Sequence, residues 1–85
     1  MTMKVNLRFF ASLRESLGPN GQLELPEGSR VGDARDQLIA RGAPFESGLA
    51  RHRALRAAVN QVLSDEDAVL ADGDELAFFP PVTGG

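Results

Sequence analysis

The chain has 85 residues, enough for one domain with one small core; 42% are hydrophobic and 25% charged, and the formal net charge is −3. Cysteine is absent and histidine occurs once, at His52, which excludes disulfides, thiolate metal sites and a cysteine nucleophile and leaves a zinc site or a Ser-His-Asp triad without partners. The negative charge argues against a nucleic-acid binder, no apolar run is long enough to span a membrane, no phosphate-binding glycine motif occurs, and Met1-Thr2-Met3-Lys4 leads into a strand pattern with no signal peptide, so cytoplasm is the expected compartment.

Residues 3–10 alternate. Met3, Val5, Leu7 and Phe9 share one face, and Lys4, Asn6 and Arg8 the other, which predicts a half-buried strand. Phe10 falls on the polar face. Ala11 to Leu17 reads as a short helical turn packing through Ala11, Leu13 and Leu17. Gly18-Pro19-Asn20-Gly21 is a turn by composition, and Gln22 to Leu25 a second strand closed by Pro26. Ser29 is the expected helix N-cap. Val31, Ala34 and Leu38 then recur at i, i+3, i+7, marking a buried helix face. Asp33 and Arg41 complement the macrodipole, and Gly42 with Pro44 beyond it ends the helix.

A second short helix is expected within residues 45–53, around Phe45 and Leu49. Leu55, Ala57 and Val59 alternate with Arg56, Ala58 and Asn60 as a third strand. Ser64 to Asp67 reads as an acidic loop, Val69-Leu70 as a brief fourth strand, Asp72-Gly73-Asp74 as a tight turn, and Glu75 to Phe79 as the last strand, with Leu76 and Phe78 inward. One helix across a small mixed sheet buries both the helix stripe and the strand faces. The expected fold is therefore α+β, a β-grasp (ubiquitin-like) domain over residues 1–81, with the first and last strands parallel neighbours at its centre.

Beyond Phe79 the chain changes character. Pro80-Pro81 ends sheet pairing and keeps the chain extended. Val82-Thr83-Gly84-Gly85 is a thin tail that reaches roughly 13 Å from Val82 to Gly85 when extended. Glycine has no Cβ, so this end fits slots closed to other residues. Taken alone, a Gly-Gly end is equally a frayed terminus or a cloning remnant. Phe79 is out of phase with Leu76 and Phe78, as Phe10 is with Phe9, so the two aromatics form an expected exposed patch at the root of the tail. Residues 61–85 carry Asp65, Glu66, Asp67, Asp72, Asp74 and Glu75 with no lysine or arginine. Asp65 to Asp67 reads as a solvated acidic face, and Arg51, His52, Arg53 and Arg56 as a solvated basic stretch or a site for an acidic partner or phosphates.

Ala57-Ala58-Val59-Asn60-Gln61, Leu70, Asp72-Gly73-Asp74-Glu75 and Phe78-Phe79-Pro80-Pro81-Val82-Thr83-Gly84-Gly85 closely resemble the small subunit family of molybdopterin synthase. Lys4-Val5, Phe9-Phe10-Ala11 and Arg14-Glu15 resemble it too, and residues 42–53 least. The closing octet together with Asp-Gly-Asp-Glu is specific, whereas Gly-Gly alone is not. The resemblance implies a sulfur carrier that is not catalytic by itself. In that family an E1-like enzyme adenylates the terminal glycine with ATP, and sulfur replaces AMP to give a thiocarboxylate. The tail enters the large subunit of a heterotetrameric synthase and donates sulfur to the pterin precursor of the molybdenum cofactor. No cofactor is permanently bound.

Carried onto this chain, the reacting group is the α-carboxylate of Gly85. Pro80, Pro81, Val82, Thr83 and Gly84 thread into the partner, and Phe10, Arg14 and Phe79 form the surface shared by the large subunit and the activating enzyme. An α-carboxyl with a pKa of about 3.5 is an anion at neutral pH and a competent nucleophile toward the α-phosphate of ATP. Three other readings stay open: a sulfur carrier for thiamin thiazole synthesis, a protein modifier joined to lysines of targets, and a binding module with an inert tail.

Overall fold

The alternation of Met3, Val5, Leu7 and Phe9 produces an eight-residue strand, β1 (Thr2–Phe9), whose inward side chains are at most 3% exposed. The structure is a computed structural model and describes residues 1–81. The elements that follow are α1 (Ser12–Leu17), β2 (Asn20–Pro26), α2 (Val31–Ile39), α3 (Phe45–Gly48), β3 (Arg56–Val59), β4 (Val62–Ser64) and β5 (Glu75–Phe79). The sheet order is β2-β1-β5-β3-β4. β1 and β5 are the parallel central pair, with Phe9 opposite Phe78, and β2, β3 and β4 join antiparallel. This is the β-grasp arrangement expected from the patterning.

One face of the sheet is covered. Val5, Leu7, Phe9, Leu23, Leu25, Leu76 and Phe78 meet Val31, Ala34 and Leu38 of α2, with Leu13, Leu49 and Leu70 closing the edges. Phe9 stacks against Phe78 at 6.4 Å between centroids and is tilted against Phe45 at 6.3 Å.

Several local expectations are corrected. Ser29 does not cap α2, because its hydroxyl donates to the Pro26 carbonyl (2.7 Å). Arg30 holds the cap position, and the first-turn N–H groups find other acceptors. Arg30 N donates to Asp33 Oδ2 (2.8 Å), Val31 N to Ala68 O (3.0 Å) and Gly32 N to Glu66 O (2.9 Å). The 65–70 loop thus replaces the missing side-chain cap. Ala11 is exposed with φ 55°, where the chain leaves β1 and turns into α1; only Leu13 of α1 is fully buried.

The fourth strand is Val62–Ser64, not Val69-Leu70. Val69 makes only an isolated bridge to Arg30. The hairpin before β4 turns through Asn60 and Gln61, with φ 51° and 68°, as a two-residue turn of the primed type requires. Asn60 holds that turn to the start of β5. Its Nδ2 donates to Asp74 Oδ1 (2.9 Å) and its Oδ1 accepts from Glu75 N (3.0 Å). The Asp72-Gly73-Asp74 turn forms as expected, with Gly73 at φ 86° and its N–H on the Lys4 carbonyl (2.8 Å). The helix expected within 45–53 stops at Gly48, and carbonyls of the segment that follows accept from an arginine described below. Among the described residues, no helix is long and apolar enough to cross a membrane.

Candidate functional site

The parallel pairing of β1 with β5 decides where the end of the chain emerges. Phe9 lies opposite Phe78, so Phe10 and Phe79 come level at the same end of the sheet, on the face away from α2. Their rings pack edge to face with centroids 6.5 Å apart. Phe10 is 42% exposed and Phe79 half-buried. The expected aromatic pair is therefore present at the point where Pro80 and Pro81, both half-buried, leave the sheet. Arg14 stands exposed on α1, and its backbone N–H donates to the Phe10 carbonyl (3.4 Å). Arg8 sits over the Phe10 ring at 5.6 Å and reaches Glu75 at 3.7 Å. Val82, Thr83, Gly84 and Gly85 lie outside the described residues.

Register extends the patch beyond the two aromatics. Ala77, Ala58 and Leu63 pair across β5, β3 and β4, and Arg56 pairs with Phe79. All lie on the same outer face as Phe79, because Leu76, Phe78 and Ala57 face the core. Leu63 is 64% exposed, while Ala77 and Ala58 are short methyls set between longer neighbours in register. An apolar strip thus crosses the sheet, exposed at Phe10 and Leu63, half-buried at Phe79 and recessed at Ala77 (4% exposed) and Ala58 (9%), with Arg8, Arg14 and Arg56 beside it. Sequence reading missed Leu63, because without the Asn60-Gln61 hairpin it has no strand to belong to.

A second cluster lies on the opposite side, and it corrects two expectations. Arg35 of α2 is buried at 4% exposure. Its Nε donates to Leu49 O (2.7 Å), Nη2 to Ala50 O (2.6 Å) and Arg53 O (3.0 Å), and Nη1 to Glu66 Oε2 (2.8 Å). Arg51 pairs with Glu66 and with Asp36, and donates to Gly32 O (3.0 Å). Glu66 is therefore not part of a solvated acidic face. Arg51 is a structural cross-link, while His52, Arg53 and Arg56 are exposed. Among the described residues no buried side-chain polar atom lacks a partner. The cavity of about 220 Å³ beside Arg35 and Glu66 accordingly presents no unused buried polar group to a ligand.

Burial pushes the Glu66 carboxyl upward, but hydrogen bonds from Arg51 and Arg35 outweigh it and hold the group below the usual value of 4.5. A carboxylate held low stabilises the fold above its unfolded-state pKa and loses that contribution as pH falls through the folded-state value. Glu66→Gln should cost about 1 kcal/mol at neutral pH, since one of its partners is exposed. The gap in Tm between wild type and Glu66→Gln should close as pH drops below the usual 4.5. Melting curves at constant ionic strength decide this, and a gap that stays constant down to acid unfolding contradicts it.

The ThiS family matches residues 7–85 of this chain. Two curated relatives are molybdopterin synthase sulfur carrier subunits. That of Escherichia coli (strain K12) is 40% identical, over 95% of this chain and 99% of its own length. That of Mycobacterium tuberculosis is 36% identical, over 98% and 99%. Among solved structures, SAMP1 from Haloferax volcanii superposes with a TM-score of 0.76 at 28% identity, covering 96% of this chain and 99% of that one. A chain of the complex of subunits 1 and 2 of the molybdopterin-converting factor from Helicobacter pylori gives a TM-score of 0.65 at 28% identity, covering 98% and 100%.

Proposed function

The chain belongs to the ThiS family, and from that membership we propose that it is the sulfur carrier subunit of a molybdopterin synthase, with the Gly85 carboxylate as the carrying group. The observation that carries the reading is the joint one of the tail root and the relatives. The strand pair that brings Phe10 and Phe79 together delivers Pro80-Pro81 to one end of the sheet, in a chain 36–40% identical to named sulfur carriers over nearly its whole length. Those relatives favour molybdopterin over thiamin thiazole synthesis.

In this reading an E1-like enzyme uses ATP to convert the Gly85 carboxylate to an acyl adenylate. Sulfur displaces AMP, and the resulting thiocarboxylate enters the active site of a large subunit. The Helicobacter pylori complex of two converting-factor subunits supports a large-subunit partner. The apolar strip around Phe79 is the surface we assign to that partner and to the activating enzyme. No side-chain nucleophile on this chain takes part, and its contribution is presentation. The direct test is intact mass after incubation with activating enzyme, ATP and a sulfur source. One oxygen should be replaced by sulfur at Gly85, and the sulfur lost when large subunit and pterin precursor are added.

Similarity to small archaeal modifier protein 1 of Haloferax volcanii supports a second reading, a modifier joined to protein amines. The same mass experiment in the presence of candidate target proteins separates the two, because conjugates retain the carrier mass and thiocarboxylate donation does not.

Phe79→Ala tests the surface. Truncating a central aromatic anchor costs about 2 kcal/mol of binding, roughly thirtyfold in Kd. Loss of the edge-to-face partner of Phe10 should lower stability by only about 1 kcal/mol. Calorimetric titration with the large subunit, paired with thermal unfolding, reads both. A variant that melts far earlier yet binds normally once folded places Phe79 in the core instead.

A further inference from the structure

The amines of this chain and its guanidiniums sit in different places. Of nine cationic side chains, Lys4 is the one lysine and the other eight are arginine. Lys4 lies near the start of β1, opposite Glu24 on β2, with its backbone held by Asp72 and Gly73. Met1 is beside it at the same end of the sheet, 98% exposed.

The tail leaves from the other end. Phe79 is level with Phe10, so Lys4 lies six residues, roughly 20 Å, back along β1. From Phe79 to Gly85 is also six residues, roughly 20 Å fully extended. Gly85 therefore approaches Lys4 only if the tail doubles back past Pro80-Pro81 and runs most of its length along the sheet. The cations beside the tail root are Arg56, paired with Phe79 on the adjacent strand, Arg8 over the Phe10 ring, and Arg14 one helical turn beyond Phe10. All three fall within the tail's reach.

We propose that this placement makes the carrier inert toward its own activated end: Arg8, Arg14 and Arg56 give the tail root positive charge without an amine that can capture an activated Gly85. The proposal rests on the reading that Gly85 is activated. In self-acylation an amine lone pair attacks the Gly85 carbonyl carbon. A C–N bond forms, the bond to the leaving group breaks with its electron pair on that group, and the amine proton passes to solvent. The product is a lactam one water lighter than the free acid. Only the unprotonated base attacks. A guanidinium stays protonated at any working pH, whereas a lysine ammonium yields a usable fraction of free amine in mildly basic solution. The zero cysteine count removes the other strong nucleophile.

The test uses the full chain carrying a chemically prepared thioester at Gly85, so it does not depend on the activating enzyme. Wild type is compared at mildly basic pH with Arg14→Lys, Arg56→Lys and the triple Arg8→Lys/Arg14→Lys/Arg56→Lys chain, with products resolved by intact mass and the linkage located by peptide mapping. Wild type should give only the hydrolysed acid. The lysine chains should give lactam at the introduced residue, at a rate equal to that of wild type in on the order of millimolar free lysine, the effective concentration of a short flexible tether. Two results overturn the proposal: lactam at Lys4 or Met1 of wild type as fast as in the lysine chains, or no lactam in the triple chain. ATP–pyrophosphate exchange with the activating enzyme reads the carrier function separately. Its failure would count against sulfur carriage while the thioester result still decides the self-protection.

Discussion

A chain lacking Gly85, or carrying one residue beyond it, is expected to unfold at the same temperature as wild type and to support no sulfur transfer. The two halves of this expectation have separate physical grounds. Among the described residues, every member of the buried core lies at or before Phe78, and the last strand closes at Phe79. A change at position 85, six residues past the last strand, is therefore expected to move stability by less than about 0.5 kcal/mol. The chemistry is far less tolerant. Deletion draws the carboxylate back by about 3.3 Å, and extension pushes the Gly85 carbonyl away from the terminus by the same step. A misplacement of only about 1 Å costs on the order of a hundredfold in rate. Gly85→Ala keeps the carboxylate but adds a methyl, and is expected to slow both adenylation and transfer with the fold unchanged. Thiocarboxylate yield by mass and molybdopterin formation are the readouts. Normal molybdopterin formation by the chain without Gly85 would end the sulfur-carrier reading.

How much of this was legible beforehand depends on the range of the interaction. Period-2 alternation in residues 3–9 and the 31/34/38 spacing are local, and both elements formed where the pattern put them. The exposed Phe10–Phe79 pair was also legible, since a phase break in each of two strands needs only their parallel adjacency to become a contact. The failures share a different cause. The pattern puts a fourth strand at Val69-Leu70 because Asn60-Gln61 lacks the glycine of the usual two-residue hairpin, so the turn that precedes β4 carries no local signal. Ser29 has the chemistry of a cap, but its hydroxyl is used within its own turn and the cap comes from a loop more than thirty residues on. Glu66 looked like one of three equivalent acids in a row, and nothing nearby in sequence distinguishes the one that meets Arg35 and Arg51. For Arg35 itself a signal did exist. Val31, Ala34, Arg35 and Leu38 stand at i, i+3, i+4 and i+7, so the arginine occupies the i+4 position of an otherwise apolar stripe.

That position is the basis of the largest stability effect we expect away from the tail. Arg35→Met keeps length and apolar volume at position 35 but removes all four hydrogen bonds of the guanidinium. Three of them close the segment from Leu49 to Arg53, which carries the chain from α3 into β3. Without them the carbonyl of the fully buried Leu49 loses its guanidinium donor, while Ala50 O keeps the Arg53 N–H (2.9 Å) and Arg53 itself is exposed. Glu66 also loses its buried partner but retains Arg51 and solvent. Replacing the ion pair with a well-packed apolar side chain offsets part of the cost, whereas the Leu49 carbonyl has no such compensation, and the sum is about 3 kcal/mol. For a domain of this size that lowers Tm by roughly 12–24 °C. Arg35→Lys should be nearly as damaging, because one ammonium cannot span the fork that reaches Leu49, Ala50 and Glu66 together. The comparison that isolates the cause is Arg35→Met alone, Glu66→Gln alone and the pair. If Arg35 acts chiefly through Glu66, the double variant is no worse than Arg35→Met and Glu66→Gln accounts for most of the loss. If it acts chiefly through the 49–53 carbonyls, Glu66→Gln is mild and Arg35→Met severe. The geometry requires the second result, and a Tm change under about 4 °C in Arg35→Met, the shift produced by roughly 1 kcal/mol, would show that the segment holds its place without the arginine.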